Sequence, residues 1–446
     1  MALSIGLAFD FLLFRIRRRF YTKNMLKRHQ LTKAKAMARY ASENSSFFKK
    51  YYEGHDVSNF FSLPFLNKEI MMDNLSEYNT LNLDKRELVQ FALDVESSRD
   101  FSKRFKGVNI GMSSGTSGNK SIIITTVNEE DYIKTMYVSR LIMPKGEKLN
   151  CAFILRVSSP AFNYDKNGNR LTYITQLQPI ELIVGQLNTL NPNVLAGPPS
   201  MLKLLALEKQ KGSLNINPKI LYVYAEVFYP DIRKVLEDVF KSPIHQVYQG
   251  SEGFYALTCK HGNLHINEDM TLMELFDKDG NPAKDGEPCF KLVVTDLHKK
   301  AQPIIRYEID DIITISKEKC RCGSNFRIIE NIQGRADDMF WGLRKDTKKP
   351  HFIFQDYIAR TIISASESIQ EYQAIQESYR KVTLRILYSK SDKKNISKIL
   401  SQRIKKVFAD YGCLEPSVNV IFGQPLLNER SNKLIRIICK IKGEKH

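Results

Sequence analysis

Cysteine is scarce in this sequence, and so is any long uninterrupted apolar run. The seven cysteines are an odd number with no visible signal peptide, which argues against a disulfide framework and favours a reducing cytoplasm. The N-terminal stretch "MALSIGLAFDFLLFRIRRRF" is interrupted by Asp10, is too short to span a bilayer and ends in a basic cluster. We therefore expect a helix packed on the protein here. Peripheral contact of this N-terminal segment with an anionic membrane stays open.

Acidic residues are outnumbered as well. The chain has 49 Asp and Glu against 67 Lys and Arg, a formal net charge of +18. This balance suits nucleic acid, an anionic membrane surface or anionic substrates such as nucleotides. The basic residues are scattered and no nucleic-acid module is recognisable, so we expect no nucleic-acid partner. A basic, non-enzymatic polyanion-binding protein is one alternative, and the oligomeric state, a dimer included, is left open.

The pattern of residues changes twice along the chain. Residues 1–100 carry helical patterns, and from about residue 105 short β-rich runs such as "SIIITT" and "FKLVVTDL" alternate with helical stretches such as "DIRKVLEDVF". This alternation predicts an α/β fold. We divide the chain into a helical N-terminal part (1–100), a core (101–337) and a small α+β domain (338–446).

One loop, "NIGMSSGTSGNKSIIITT" at residues 109–126, is crowded with glycine and hydroxyl residues. Its "GMSSG" fits the G-x-S-x-G elbow of serine hydrolases, an alternative function with Ser113 as the nucleophile. That elbow needs a helix directly after it, whereas the residues that follow are β-branched. The spacing also fails the Walker pattern. Glycines that admit an anion to the backbone, hydroxyl donors and one lysine favour a phosphate-binding loop.

Several stretches in sequence order resemble the motifs of the adenylate-forming superfamily, whose enzymes join a carboxylate to AMP. They are "SSGTSGNK", "NVLAGPPSML", "YVYAEVF", "VYQGSEGF", "PIIRYEIDDI" and "IQGRADDMF". The resemblance covers residues 30 to 446 and points to the phenylacetate–CoA ligase-like branch with its capsule-biosynthesis relatives. It implies a large N-terminal adenylation domain, with β-sheets flanked by helices, and a small mobile α+β C-terminal lid.

The resemblance also implies a reaction. A carboxylic acid, aryl or acyl, would be activated by ATP and Mg²⁺ to an acyl-adenylate with release of pyrophosphate. Transfer to CoA, to an acyl or aryl carrier protein or to an amine would follow. Two anions must meet in such a step, so the site needs cations and oriented donors.

Residue roles follow from the resemblance, position by position. The residues that would hold the β- and γ-phosphates are Ser113, Ser114, Gly115, Thr116, Ser117, Gly118 and Lys120. The nucleoside side would be formed by Ala225, Glu226, Tyr248, Gln249, Gly250, Asp311 and Arg335, with Tyr248 on adenine and Asp311 on the ribose hydroxyls. Asp337 would be the hinge of the lid.

Three residues would act at the reacting centre. Glu252 would ligate Mg²⁺, and Ser251 would lie beside the α-phosphate. Lys433 in "NERSNKLIRII" would reach the α-phosphate, although Asn432 stands where the family usually has glycine. Relatives that make CoA thioesters commonly carry a glycine-rich segment where the lid begins. Here the corresponding stretch, "FWGLRKDTKKPHFIFQDYIART" at residues 340–361, has Gly342 as its single glycine. Adenylation is therefore better supported by the sequence than thioester formation.

Four further residues combine three thiols and an imidazole, the ligand set of a closed structural zinc site: Cys259, His265, Cys320 and Cys322. His261 is a competing ligand, and the C-x-C spacing is tighter than the usual C-x-x-C. Similar placement occurs in some phenylacetate–CoA ligase-like enzymes. We expect a structural Zn²⁺ without a catalytic role, with unpaired thiols as the alternative.

Overall fold

The computed structural model describes residues 5–112, 121–155, 164–176, 178–335, 340–353, 358–359, 361–362, 365–366, 368–427 and 434–441. The chain forms two compact units, one built largely from the residues up to Ile332 and one from Gln333–His446. Each unit has its own buried apolar core. Among the described residues, no helix combines the length and the apolar character needed to cross a membrane.

The N-terminal part of the first unit is helical, as the sequence predicts. Its helices are α1 (Ile5–Phe20), α2 (Lys23–Asn44), α3 (Ser46–Tyr51), α4 (Lys68–Asp73), α5 (Leu75–Tyr78) and α6 (Lys85–Ser98). Four of them begin at a side chain that accepts a hydrogen bond from the free amides of the first turn, namely Thr22, Ser45, Asn67 and Asp84. Such caps stabilise a helix start, and they fix where these helices begin.

Sixteen strands follow among the described residues up to Arg335. In chain order they are β1 (Asn109–Met112), β2 (Ile122–Thr125), β3 (Asn150–Leu155), β4 (Tyr164–Lys166), β5 (Asn169–Thr175), β6 (Val194–Gly197), β7 (Ile220–Val223), β8 (Ile244–Gln249), β9 (Phe254–Thr258), β10 (Leu264–Ile266), β11 (Thr271–Phe276), β12 (Pro288–Cys289), β13 (Lys291–Asp296), β14 (Tyr307–Ile309), β15 (Asp311–Ile315) and β16 (Ile328–Arg335). Eleven form one mixed sheet in the order β12-β15-β16-β10-β9-β8-β7-β6-β3-β5-β4.

The middle of this sheet is parallel. Strands β5, β3, β6, β7 and β8 run in one direction, and helices α8 (Ile180–Leu190), α9 (Pro199–Gln210) and α10 (Pro230–Phe240) connect successive strands. The strand sequences "VLAG" and "ILYV" are buried at every position, as expected for parallel strands covered on both faces. Leu187, Leu202 and Leu236 of the connecting helices pack into the core beside them.

Helix α7 (Val127–Arg140) begins at a capping box between Thr126 and Glu129 and packs against α1. Phe14 of α1 is fully buried, and its ring centroid lies 5.0 Å from that of Tyr132 on α7. The N-terminal apolar stretch is therefore a packed helix. Two smaller sheets complete the unit: the antiparallel pair β1-β2 and the sheet β11-β13-β14.

The second unit is a small α+β fold. Its elements are β17 (Phe340–Leu343), β18 (Pro350–Ile353), β19 (Ile369–Ser378), β20 (Lys381–Tyr388), α11 (Lys393–Asp410), β21 (Ser417–Phe422) and β22 (Ile437–Cys439). Four strands form a sheet in the order β21-β20-β19-β22, on which α11 packs through Leu400, Ile404 and Phe408. A Cβ on Gly342 would lie 2.6 Å from Cys413 Cβ, so the β17-β18 pair requires glycine there. The predicted α/β class with a large sheet unit and a small α+β unit is confirmed.

Candidate active site

The turn between β8 and β9 carries "GSEG" at the edge where the parallel strands end. Gly250 N donates to Gly253 O at 3.0 Å, which closes the turn. A Cβ on Gly250 would lie 2.9 Å from Glu252 Oε2, and one on Gly253 would lie 3.1 Å from Tyr255 Cε1. A side chain at position 250 would displace the Glu252 carboxylate, and one at position 253 would crowd the Tyr255 ring. Ligands bind at the carboxyl ends of the strands in open parallel sheets, which makes this turn the natural place for a site.

Ser251 and Glu252 present polar groups from this turn. Ser251 is exposed and Glu252 is half-buried. The buried Tyr307, on β14, donates from its hydroxyl to Glu252 Oε1 at 3.4 Å. Sequence analysis gave Tyr307 no role, although it lies inside the "RYEIDD" motif. The Glu252 carboxylate retains lone pairs that a hard cation could use.

Tyr248 and Gln249 end the strand that leads into the turn. Tyr248 is buried in the core, with its ring centroid 5.2 Å from that of Tyr255, whereas Gln249 is half-buried. The Tyr248 ring thus packs directly beneath the turn. Its stacking on adenine stays a prediction.

Ala225 and Glu226 follow β7, the strand next to β8. Ala225 has a φ of 67°, in the left-handed region that residues with a Cβ seldom adopt. The Glu226 carboxylate accepts hydrogen bonds from Ser200 N at 3.0 Å and from Ser200 Oγ at 2.9 Å. Ser200 lies in the first turn of α9, so two of the stretches named from the sequence meet at the same edge of the sheet.

Arg306 of the "RY" motif is an internal anchor. It has a φ of 46°. Its guanidinium forms a bidentate ion pair with Glu274, in which Nε donates to Oε1 at 3.0 Å and Nη2 donates to Oε2 at 2.7 Å. It also donates to the carbonyls of Phe61 and Leu63. This pair holds the segment that presents Tyr307. Asp311, the first residue of β15, is half-buried.

A cavity of about 220 Å³ opens beside the turn, where β13 ends. Its lining residues are Asn128, Glu129, Tyr132, Ile133, Asp296, His298 and Lys299. Burial raises the pKa of Asp296 and lowers the pKa of Lys299, although each charge partly offsets the effect on the other. Burial also lowers the pKa of His298 to about 3. Sequence patterns gave no signal for this cluster, because its members come from α7 and from the end of β13.

Several predicted residues lie outside the described part of the chain. They are Ser113, Ser114, Gly115, Thr116, Ser117, Gly118, Lys120, Asp337 and Lys433. Arg335 ends β16, and its side chain is likewise outside the description. Their assigned roles stay predictions.

The four predicted zinc ligands lie together. One ligand atom from each of Cys259, His265, Cys320 and Cys322 can be chosen so that all four lie within 4.8 Å of one another. Cys259 Sγ lies 3.5 Å from Cys320 Sγ, and Cys322 Sγ lies 3.4 Å from His265 Nε2. These separations are close to the edge of a tetrahedron built on Zn–S bonds of about 2.3 Å. His261, the competing ligand, is not part of this group.

The surroundings orient these ligands. The Phe326 carbonyl lies 2.8 Å from His265 Nδ1, which leaves Nε2 to face Cys322. Asn263 Nδ2 donates to Cys320 Sγ at 3.1 Å. Burial lowers the pKa of His265 to about 4, so this imidazole is neutral at physiological pH, as a metal ligand must be. The residues present therefore fit a structural Zn²⁺, which would fasten the turn after β9 to the loop after β15.

Comparison with known proteins agrees with the motifs. No family model matches the chain. It is 22% identical to protein CapK of Staphylococcus aureus over 387 residues, which is 82% of this chain and 79% of that protein. It is 30% identical to phenylacetate-coenzyme A ligase of Thermus thermophilus over 158 residues, which is 33% of this chain and only 35% of that enzyme.

Among solved structures, 2-hydroxyisobutyryl-CoA ligase in the postadenylation state superposes with a TM-score of 0.69 at 16% identity, covering 95% of this chain and 91% of that one. The chain therefore has the fold of adenylate-forming ligases. The sequence similarity to protein CapK and to phenylacetate-coenzyme A ligase points to the phenylacetate–CoA ligase-like branch of the adenylate-forming superfamily.

Proposed function

We propose that this protein uses ATP to activate a carboxylic acid as an acyl-adenylate, with release of pyrophosphate. One observation carries the proposal. A half-buried carboxylate, Glu252, projects from a glycine-closed turn at the carboxyl edge of a parallel sheet and keeps lone pairs free beside Tyr307. The resemblance of the surrounding motifs to those of acid-activating ligases supports the same reaction.

In this reaction the substrate carboxylate attacks the α-phosphorus of ATP, and the bond to pyrophosphate breaks. Because both reactants are anions, the site must neutralise charge as they approach. Glu252 would hold Mg²⁺, which when bound supplies positive charge to the phosphate oxygens. Ser251, exposed at the tip of the turn, would donate to the α-phosphate, and Lys433 would place its ammonium there.

The nucleoside and the phosphate tail would be held by the remaining predicted residues. Asp311 would accept hydrogen bonds from the ribose hydroxyls, because an ionised carboxylate is acceptor-only. Arg335 would contact ribose or phosphate, and Tyr248 would face adenine. The loop at residues 113–120 would hold the β- and γ-phosphates.

The acid would occupy the aromatic region beside the turn. Phe254 directly follows the turn, and its ring stands edge-on to Tyr137 of α7, with centroids 4.7 Å apart. Phe153 and Tyr224 stack nearby in the same core cluster, with centroids 5.0 Å apart. An aromatic environment of this kind would suit an aryl or medium-chain acyl acid.

The acceptor of the acyl group would be a thiol. The phenylacetate-coenzyme A ligase and the 2-hydroxyisobutyryl-CoA ligase are both CoA ligases, which supports CoA as the acceptor. The phosphopantetheine of an acyl or aryl carrier protein offers the same thiol chemistry, and an amine is the further alternative. The unusual lid segment around Gly342 makes adenylation the firmer part of the proposal.

The test is ATP–pyrophosphate exchange with Mg²⁺ and a panel of aryl and acyl acids. We expect acid-dependent exchange that falls at least ~100-fold in Glu252→Ala and in Lys433→Ala. The matched controls, Glu237→Ala and Lys398→Ala, remove an exposed acid and an exposed lysine away from the turn and should retain full exchange. Absence of ATP binding, or exchange that survives both site substitutions, would overturn the proposal.

The same preparation tests the alternatives. Strands β1 and β2 pair antiparallel on either side of the serine-rich loop, so the next described element after Ser113 is a strand rather than the helix that a nucleophile elbow needs. A fluorophosphonate probe that labels Ser113 would nevertheless favour a serine hydrolase. Steeply salt-dependent binding to polyanions without ATP turnover would favour the basic binding protein.

A further inference from the structure

Helix α1 exposes a continuous apolar stripe. Phe9, Leu12, Ile16 and Phe20 are 61%, 55%, 37% and 68% exposed. They are spaced by three or four residues, so they share one face of the helix. Folded soluble monomers seldom expose a contiguous apolar patch of this kind without a binding role.

The opposite face of α1 is fixed to the protein. Phe14 is fully buried against Tyr132, and the Arg140 guanidinium lies 5.6 Å from the centre of its ring. Arg19 Nη1 donates to the Cys322 carbonyl at 3.0 Å, which ties the end of the helix to the cysteine-containing loop. Packing on the other side therefore keeps the stripe facing outward. Rotation of the helix that buried the stripe would remove Phe14 from its buried position.

Positive charge borders the stripe. Arg15 and Arg19 are exposed, and each lies three residues after a stripe residue, Leu12 or Ile16. Between residues 5 and 28, Asp10 is the single acid, whereas the basic residues are Arg15, Arg17, Arg18, Arg19, Lys23, Lys27 and Arg28. An apolar face with a basic border matches an anionic bilayer surface, in which acyl chains lie beneath anionic headgroups.

We propose that α1 docks the protein on an anionic lipid bilayer. The helix lies in the plane of the interface, Phe9, Leu12, Ile16 and Phe20 enter the acyl boundary, and Arg15 and Arg19 contact headgroup phosphates. A second copy of the chain is a poorer occupant, because two stripes facing each other would bring two basic borders together on proteins of net charge +18. This inference does not depend on the proposed reaction.

Vesicle flotation with the full chain tests it. The probes are vesicles of phosphatidylcholine with phosphatidylglycerol, and vesicles of phosphatidylcholine alone. We expect binding to the anionic vesicles that weakens as salt is raised, and a decrease of about tenfold or more in Leu12→Ser/Ile16→Ser. Arg15→Gln should weaken binding at low salt and flatten its salt dependence.

The control Leu182→Ser/Leu204→Ser changes two leucines of similar exposure, 56% and 48%, on α8 and α9, and should bind like the unaltered protein. Circular dichroism checks that both double variants fold. Equal binding to neutral and anionic vesicles, unchanged binding by the stripe variant, or no binding would overturn the proposal. If the stripe variant instead turns a dimer into a monomer in light scattering, with no vesicle binding, the face is an interface between copies.

Discussion

At the scale of single residues, the cavity beside the "GSEG" turn is lined by ionisable groups whose pKa values are shifted by burial. His298 hydrogen-bonds through Nε2 with Tyr132 Oη at 3.3 Å. The Asp296 carboxylate accepts from the backbone amides of His298 and Lys299, both at 2.8 Å. These contacts fix the geometry of the cavity wall at neutral pH. They also make the wall sensitive to acid.

His298 should make stability depend on pH. Burial, with repulsion from Lys33 and Arg17, lowers its pKa from 6.5 to about 3. Between these values the unfolded chain binds a proton that the folded protein does not, so the free energy of unfolding falls as pH is lowered. We expect His298 to account for a loss of roughly 2 kcal/mol between about pH 7 and about pH 5.

Urea unfolding across this pH range measures the effect. His298→Gln should have a flatter pH profile than the unaltered protein, whereas substitution of the exposed His55 by Gln should leave the profile unchanged. The raised pKa of Asp296 has the opposite effect, since it increases the free energy of unfolding as pH is lowered. The contribution of His298 is therefore measured as the difference between the variant and the unaltered protein. Identical profiles for His298→Gln and the unaltered protein would contradict this account.

At the scale of elements, a buried ion pair joins the end of α7 to the segment between β10 and β11. Arg140 Nη2 lies 2.7 Å from Asp269 Oδ2, and both side chains are almost fully buried. Breaking such a pair leaves a charge without compensation. We expect Arg140→Met to cost about 3–5 kcal/mol of unfolding free energy, and Arg140→Met/Asp269→Leu to recover most of it.

Urea denaturation of the single and double variants checks this expectation. The exposed pair Arg233–Glu237 serves as control, and Arg233→Met should cost less than about 1 kcal/mol. A double variant as unstable as the single one would show that Arg140 acts through its packing on Phe14 rather than through its charge.

The cysteine–histidine cluster should bind a structural metal ion that links separate elements of the fold. Cys320→Ser should abolish stoichiometric zinc and lower the unfolding free energy by ~3 kcal/mol or more, because the ion joins the turn after β9 to the loop after β15. Elemental analysis and thermal denaturation measure both effects. Cys439→Ser, a half-buried cysteine of the second unit, should keep the zinc. If zinc-free protein were as stable as zinc-bound protein in thermal denaturation, the metal would have no stabilising role.

Elements with local signals could be predicted from the sequence. "DIRKVLEDVF" became α10, "SIIITT" became β2, and the tail helix became α11 over Lys393–Asp410. The order of the eleven strands could not, because it depends on contacts between distant segments. The cavity beside the turn was missed for the same reason: Tyr132 and His298 are 166 residues apart. The cysteine cluster could be anticipated, since thiols and imidazoles are few, but not its partners Asn263 and Phe326.

At the scale of the whole molecule, each unit has a core of its own, so the two should not unfold as one cooperative system. Calorimetry should resolve two transitions. Leu205→Ala on α9 and Leu400→Ala on α11 each truncate a fully buried leucine, at a cost of about 2–5 kcal/mol. Each substitution should shift a different transition. A single transition that both substitutions shift equally would show that the units unfold together.

Gly342 and Cys413 set a limit on how this sequence can diverge. A side chain at 342 would occupy the space of the Cys413 Cβ and Sγ, at 2.6 Å and 2.7 Å. A descendant of this chain can therefore gain a residue larger than glycine at 342 only if position 413 changes as well or the strand moves. The two positions should covary across homologues, and a library of single substitutions should find position 342 intolerant while paired changes with position 413 survive.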